Sequence, residues 1–151
     1  KNITDKQVID AVRLCRRHDI KTQTCFILGH PTESLREMWQ TVTFARKLGS
    51  NYPSFDKMIP IPGSELFELA KRNKEVGPDV WIDFMHGQGP CPLYVPQGIS
   101  PKDLHRVFRK AWFYAYFWPP NLWLNRDAFI KPGYFLRAAQ AFWDFACKRE
   151  Y

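Results

Sequence analysis

A repeated order of strand, turn and helix in residues 1–73 constrains this fold more than any other feature. The stretch TQTCFIL, residues 22–28, is β-branched and aromatic and has no charged residue, which is typical of a strand buried on both faces. It ends in the turn of residues 29–31. The stretch FDKMIPI, residues 55–61, is the second predicted strand, and Pro62-Gly63 turns the chain after it.

Three amphipathic helices surround these strands, over residues 5–17, 34–48 and 64–72. Thr4 with Gln7, and Ser34 with Glu37, have the spacing of capping boxes, and Gly49 is a typical helix end. Alternating helices and strands predict parallel βα units. Because two strands alone do not make a stable parallel sheet, we expect the other strands to lie outside this chain.

The pattern changes after residue 73. Residues 74–99 are rich in Gly and Pro and are predicted to be an irregular connecting segment, anchored by Trp81, Ile82 and Phe84. Residues 100–151 are predicted to be a helical C-terminal region. It contains helices over residues 101–117 and 133–148.

The net charge, the aromatic content and the cysteines of this chain argue against some classes of function. The formal net charge is +7, but the basic residues stand singly or in pairs, which argues against a nucleic-acid surface. The aromatic stretch of residues 111–124 is too short to span a membrane. Core packing, an apolar substrate or partner surface and a shallow membrane contact all remain open for it. The four cysteines, at positions 15, 25, 91 and 147, form no CxxC motif, and a reducing cytoplasm is expected.

The turn after the first strand is the main candidate for a binding site. Loops at the carboxyl ends of parallel strands bind ligands in α/β folds, and a glycine such as Gly29 lets the backbone approach a ligand closely. His30 stands in the same turn, either as an acid–base group or as an exposed loop residue. Glu33 can simply stabilise the start of the next helix through its dipole.

The motifs at the two turns resemble those of radical S-adenosylmethionine (SAM) enzymes, and most closely the branch that carries a cobalamin-binding domain. At its fifth strand that family has the motif Phe-x-x-Gly-x-Pro-Gly-Glu-Thr, and residues 26–34 here read FILGHPTES. After its sixth strand it has the motif Pro-x-Pro-Gly-Thr-x-Leu, and residues 60–66 here read PIPGSEL. The resemblance covers residues 1 to about 118, with Phe113-Tyr114 matching an aromatic pair in the family's tail. Thr32 departs from the family's glycine.

The resemblance implies an α/β fold, in which residues 1–73 are the C-terminal βα units of a partial (β/α)6 barrel. A mainly helical C-terminal region would follow. It implies SAM as cofactor, a [4Fe–4S] cluster and, in this branch, cobalamin, the last two held outside this chain. Backbone at the two strand ends would contact the adenine of SAM. The candidate cofactor-binding residues are Phe26, Ile27, Gly29, His30, Glu33, Ile59, Pro60 and Ile61.

The family's cluster motif, CxxxCxxC, does not occur in this sequence. We therefore expect the chain alone to be inactive, to depend on the remainder of a parent polypeptide and to act on a small molecule of unknown identity. The chain opens KNITDKQ, without an initiator Met, and this also suggests a fragment. No catalytic residue and no metal ligand is assigned. The alternative is a standalone, non-catalytic helical binding module with an aromatic docking surface and a basic rim.

Overall fold

A computed structural model describes residues 3–77, 79–117 and 123. Within these residues the chain forms two strands and five helices. In chain order they are α1 (Asp5–Arg17), β1 (Gln23–Leu28), α2 (Leu35–Leu48), β2 (Tyr52–Lys57), α3 (Glu65–Arg72), α4 (Val80–Met85) and α5 (Pro101–Phe117). The helix predicted over residues 133–148 lies outside the described residues.

The two strands pair in parallel, as the sequence predicts. Phe26 lies opposite Phe55 in the register. The pairing continues one residue beyond β2, because the Met58 N–H donates to the Leu28 carbonyl at 3.1 Å. The two carboxyl ends therefore lie side by side, so the turns that follow them open at the same end of the sheet.

Local capping explains where the first helices begin and end. Thr4 and Gln7 form the predicted capping box of α1, and Ser34 and Glu37 form that of α2. Gly49 ends α2 in the left-handed conformation, at φ +62°. The Arg16 guanidinium donates hydrogen bonds to carbonyls of Leu48 and Gly49, which joins α1 to the end of α2.

The core lies on one face of the sheet, under α2 and α5. Both helices contact the strands and each other. Its buried residues are Leu28, Met38, Val42, Ala45, Phe55, Leu104, Val107, Phe108, Ala111 and Ala115. The opposite face carries Cys25, Ile27 and Asp56, which are exposed. β1 was expected to be buried on both faces. Within the described residues it is buried on one face only.

The second strand begins earlier than the sequence predicts. It spans Tyr52–Lys57 rather than residues 55–61. The strand tolerates Pro53 because the backbone nitrogen of this residue, which has no hydrogen to donate, faces the outer edge of the sheet. The predicted end is wrong because the chain leaves the sheet after Met58, whose carbonyl accepts a hydrogen bond from the Tyr94 N–H at 3.0 Å.

The predicted irregular segment contains one short helix, α4, and a piece around Tyr94 that has no regular secondary structure. Trp81 anchors this segment as expected, since its Nε1–H donates to the Pro60 carbonyl at 2.7 Å. Ile82 and Phe84 are exposed instead. No helix in the described part of the chain has the length and apolar character needed to cross a membrane.

Candidate functional site

The candidate site is the end of the sheet where β1 and β2 both stop. Two turns meet there, residues 29–34 after β1 and residues 58–64 after β2. In α/β folds this is the end at which ligands bind. All eight residues predicted from the sequence lie in the last positions of β1 or in these two turns.

Glu33 organises the first turn. One carboxylate oxygen, Oε2, accepts hydrogen bonds from the Gly29 N–H at 2.8 Å and the His30 N–H at 3.1 Å. The Glu33 N–H in turn donates to the His30 carbonyl at 2.8 Å. The carboxylate therefore fixes the path of the backbone and occupies two donors that an anionic ligand would otherwise use.

Gly29 adopts a backbone conformation that favours glycine. Its φ is +91°, which residues with a Cβ rarely adopt. A Cβ here would lie 3.5 Å from Leu104 Cδ1 and 3.8 Å from Pro96 Cδ, which are ordinary van der Waals distances, so the backbone angle rather than a lack of space favours glycine. That side of the glycine is covered by the chain itself, so a predicted cofactor contact at Gly29 concerns its remaining backbone atoms.

Phe26 and Ile27 point to opposite faces of the sheet. The Phe26 ring stacks on Phe55, with centroids 5.5 Å apart, and meets the edge of Phe44. It is therefore a core residue, and only its backbone is left for the predicted role. The Ile27 side chain is 58% exposed on the open face. His30, on the turn beyond it, is also exposed.

The second turn combines a buried proline with two exposed isoleucines. Pro60 is fully buried, and its carbonyl is taken by Trp81. Ile59 and Ile61 are exposed. The Ile61 carbonyl accepts hydrogen bonds from the N–H and the hydroxyl of Ser64, which caps α3. This leaves apolar side chains, rather than charged groups, at the surface of the turn.

Tyr94 was not singled out by sequence reasoning, yet it packs beside the strand ends. Only 2% of its surface is exposed, and its N–H bonds to Met58. Burial raises the pKa of its hydroxyl, and the nearby Glu75 carboxylate raises it further. Residues 92–96 read PLYVP, and this continuous apolar run in a segment rich in Gly and Pro is a sequence signal that could have pointed to Tyr94.

An open groove runs beside the first turn. Its walls are residues 31–36 on one side and Gln97, Gly98 and Ile99 on the other. Glu37 lies just beyond it, and hydrogen bonds from the Ser34 backbone and hydroxyl lower the pKa of its carboxyl. The described residues that line the groove are capping and loop groups and the first two residues of α2, and they include no cluster of reactive side chains.

The described residues do not fit an iron–sulfur cluster. Cys15, Cys25 and Cys91 are free thiols there. Within residues 3–77, 79–117 and 123, no three His, Cys, Asp or Glu side chains come together in a way that could hold a metal ion. Three thiolates close together are what a cluster requires. Cys147 lies outside the described residues.

A basic group flanks the site on the α5 side. Lys57, the last residue of β2, places its ammonium 4.9 Å from the centre of the Phe108 ring. Partial burial, then the charges of Lys57 and Arg109, lower the pKa of His105. The imidazole is therefore held toward its neutral form at this corner.

No family model matches the chain. Over 139 residues, which are 92% of its length, it is 29% identical to an uncharacterized methyltransferase of Pyrococcus horikoshii. The aligned region makes up 29% of that protein, so the chain spans less than a third of the length of this curated relative. The chain is therefore similar to one section of a methyltransferase.

Proposed function

We propose that this chain is one section of a SAM-dependent methyltransferase and forms part of the wall against which SAM binds. The observation that carries the proposal is the parallel pair β1–β2, whose two turns open at one end of the sheet. Its similarity to a methyltransferase favours SAM as the ligand at that end.

The surface at the strand ends suits the adenosine part of SAM. Ile27, Ile59 and Ile61 leave apolar side chains exposed there. An adenine ring gains free energy when such surface is removed from water. Glu33 holds the neighbouring backbone in one conformation, so little conformational entropy would be lost on binding.

Bound SAM would supply an activated methyl group, and the residues of this chain would hold and orient the adenosine. The remainder of the polypeptide would supply the reacting groups and the substrate site. The substrate is a small molecule whose class these residues do not define. We assign the reacting groups and the substrate site to the remainder of the polypeptide because the aligned region makes up only 29% of the relative.

We further propose that the parent enzyme is a radical SAM methyltransferase built on a partial barrel. The paired motifs of residues 26–34 and 60–66 support this finer proposal. The [4Fe–4S] cluster and any cobalamin would be held elsewhere, because the described residues of this chain do not fit a cluster.

Calorimetric titration of the full-length polypeptide with SAM tests the binding proposal. Ile27→Asp places a carboxylate on the apolar wall and should weaken binding by about tenfold or more. Ile20→Asp is the matched control, because Ile20 is 57% exposed but precedes β1 at the other end of the sheet. If the wild type does not bind SAM, or if both variants bind it equally well, the proposal is wrong.

A product analysis tests the finer proposal. The full-length protein, prepared anaerobically and reduced, should convert SAM to 5′-deoxyadenosine. A methyltransferase without radical chemistry would give S-adenosylhomocysteine alone. The alternative of a standalone binding module stays a prediction, and it would be favoured if neither product nor SAM binding is found.

A further inference from the structure

The open face of the sheet is polar along β2. Alternate residues of a strand point to opposite faces, and Pro53 and Phe55 are buried on the covered face. Tyr52, Ser54 and Asp56 therefore lie on the open face, where each brings a group that forms hydrogen bonds. A parallel strand is usually apolar on both faces. Three such residues in a row therefore indicate a contact with polar partners rather than packing in an apolar core.

Asp56 stands at the ligand end of this row, directly beside Ile27. The register of the two strands pairs Asp56 with Ile27, and both side chains are exposed. Since neighbouring strands lie about 4.8 Å apart, paired side chains on one face are next to each other. The carboxylate therefore borders the apolar surface that we propose for the adenosine of SAM.

No partner for the Asp56 carboxylate comes from the part of the chain that the structure describes. There it takes part in no ion pair and accepts no hydrogen bond. Lys57, the next residue, lies on the other face, with its ammonium 4.9 Å from the centre of the Phe108 ring. A carboxylate that is removed from water without a partner is strongly unfavourable. A ligand that covers Ile27 must therefore bring its own partner for Asp56.

We propose that Asp56 binds a positively charged group of the ligand that covers Ile27, and that it makes this end of the sheet selective for cationic ligands. Two sources carry this charge: the methionine part of SAM, with an ammonium and a sulfonium, and an amine on the substrate. A carboxylate attracts either group more strongly where water is excluded. The inference rests on the proposed function, because bound adenosine is what covers Ile27.

Calorimetric titration of the full-length polypeptide with three nucleosides tests SAM as the source. SAM has an ammonium and a sulfonium, S-adenosylhomocysteine has only the ammonium, and 5′-methylthioadenosine has neither. Asp56→Asn keeps the shape of the side chain and removes its charge. It should weaken SAM binding by about tenfold or more and leave methylthioadenosine within about twofold. The result for S-adenosylhomocysteine tells which of the two charges Asp56 binds.

Asp19→Asn is the matched control, because it makes the same change of charge at the other end of the sheet. Asp19 is exposed, precedes β1 and has a φ of +55°, which asparagine tolerates. It should leave all three affinities unchanged. If Asp56→Asn weakens SAM and methylthioadenosine equally, or if Asp19→Asn weakens SAM as much, SAM does not supply the charge to Asp56.

The Ile27 methyl resonances of the full-length polypeptide test a substrate amine as the source. The probe is putrescine, a diamine, and 1,4-butanediol is its neutral counterpart of the same length. With SAM bound, putrescine should shift the Ile27 methyl signals in a saturable way, and Asp56→Asn should weaken this binding by about tenfold or more. Butanediol should not shift them. If neither SAM nor putrescine binding depends on Asp56, the proposal is overturned.

Two remaining outcomes have different meanings. If the wild type binds no SAM, the proposed function fails, whereas putrescine titrated without SAM still decides the role of Asp56. If a basic residue from the remainder of the polypeptide is the partner, Asp56→Asn leaves that cation unpaired. The unfolding midpoint of the ligand-free polypeptide would then fall by several degrees, more than with Asp19→Asn, and putrescine would not bind. That result overturns the proposal.

Discussion

The two faces of the β1–β2 sheet are made from alternate residues of the same strands, yet they have opposite environments. On one face Leu28 and Phe55 are buried under α2 and α5. On the other face Ile27 and Asp56 are exposed within the described part of the chain. Composition does not explain the difference, because Ile27 is as apolar as Leu28.

This contrast separates what the chain can stabilise alone from what needs a partner. The covered face holds a continuous core, and burial of its apolar area drives folding of this section. The open face keeps apolar surface in contact with water, which is unusual for a parallel strand. We infer that the covered face sets the stability of the chain, since its core is buried without any residue from outside the described part.

The largest expected effect comes from Phe55→Ala. Phe55 is 1% exposed, stacks on Phe26 and lies at the centre of the core. The substitution should lower the free energy of unfolding by about 3–5 kcal/mol, through lost burial and a cavity. Urea unfolding followed by circular dichroism measures the change.

The matched variant for the other face is Ile27→Ala. Because Ile27 is more than half exposed, its loss in this chain alone should change the free energy of unfolding by less than about 1 kcal/mol. In the full-length polypeptide saturated with SAM the same substitution should cost about 1–3 kcal/mol, because the proposed ligand would cover this side chain. An equal cost in both settings would contradict the contrast between the faces.

The second effect concerns the turn where the two faces end. Glu33→Gln replaces the carboxylate that accepts from the Gly29 and His30 N–H groups. Loss of the charged acceptor should lower the free energy of unfolding by about 1–2 kcal/mol. Glu68→Gln, on the exposed side of α3, is the control and should change it little. Equal effects would show that the turn does not depend on Glu33.

Most of the fold could be predicted because it depends on local signals. Capping boxes at Thr4 and Ser34 mark where α1 and α2 begin, and Gly49 marks where α2 ends. The bounds of β2 could not be predicted, since they depend on tertiary partners. Pro53 is an acceptable strand residue only at an outer edge, and that edge is known only once the pairing is known.

The sequence predicted where the candidate site lies, but not which contacts form it. The motifs located both turns, but the hydrogen-bond partners of Glu33 were not predicted. Its carboxylate bonds two N–H groups that precede the helix. Trp81 and Trp112 bond to carbonyls of Pro60 and Phe55. A backbone carbonyl has no residue-type signal, so such partners cannot be read from sequence.

The third effect tests how the segment of α4 is attached near the strand ends. Trp81→Phe removes the indole N–H that bonds to the Pro60 carbonyl, and this should cost about 1 kcal/mol. The effect should be local, so limited proteolysis of residues 74–90 should speed up while the unfolding midpoint changes little. Phe84→Leu keeps the indole and serves as the control. Equal cleavage of both variants would exclude the hydrogen bond as the attachment.

The smallest effect is the pH dependence of the covered side at His105. Burial, with Lys57 and Arg109, lowers the pKa of this imidazole in the folded state, so the unfolded state binds a proton more readily. Its contribution to stability is therefore present above the unfolded pKa, about 6.5, and is lost as the pH falls through the folded pKa.

Lys57→Met should raise the pKa of His105 in an NMR titration and flatten this pH dependence. Lys71→Met is the matched control, because Lys71 also lies over a phenylalanine ring but does not act on His105. If Lys71→Met shifts the His105 titration as much as Lys57→Met does, the effect reflects net charge, and the covered face would not control this imidazole through Lys57.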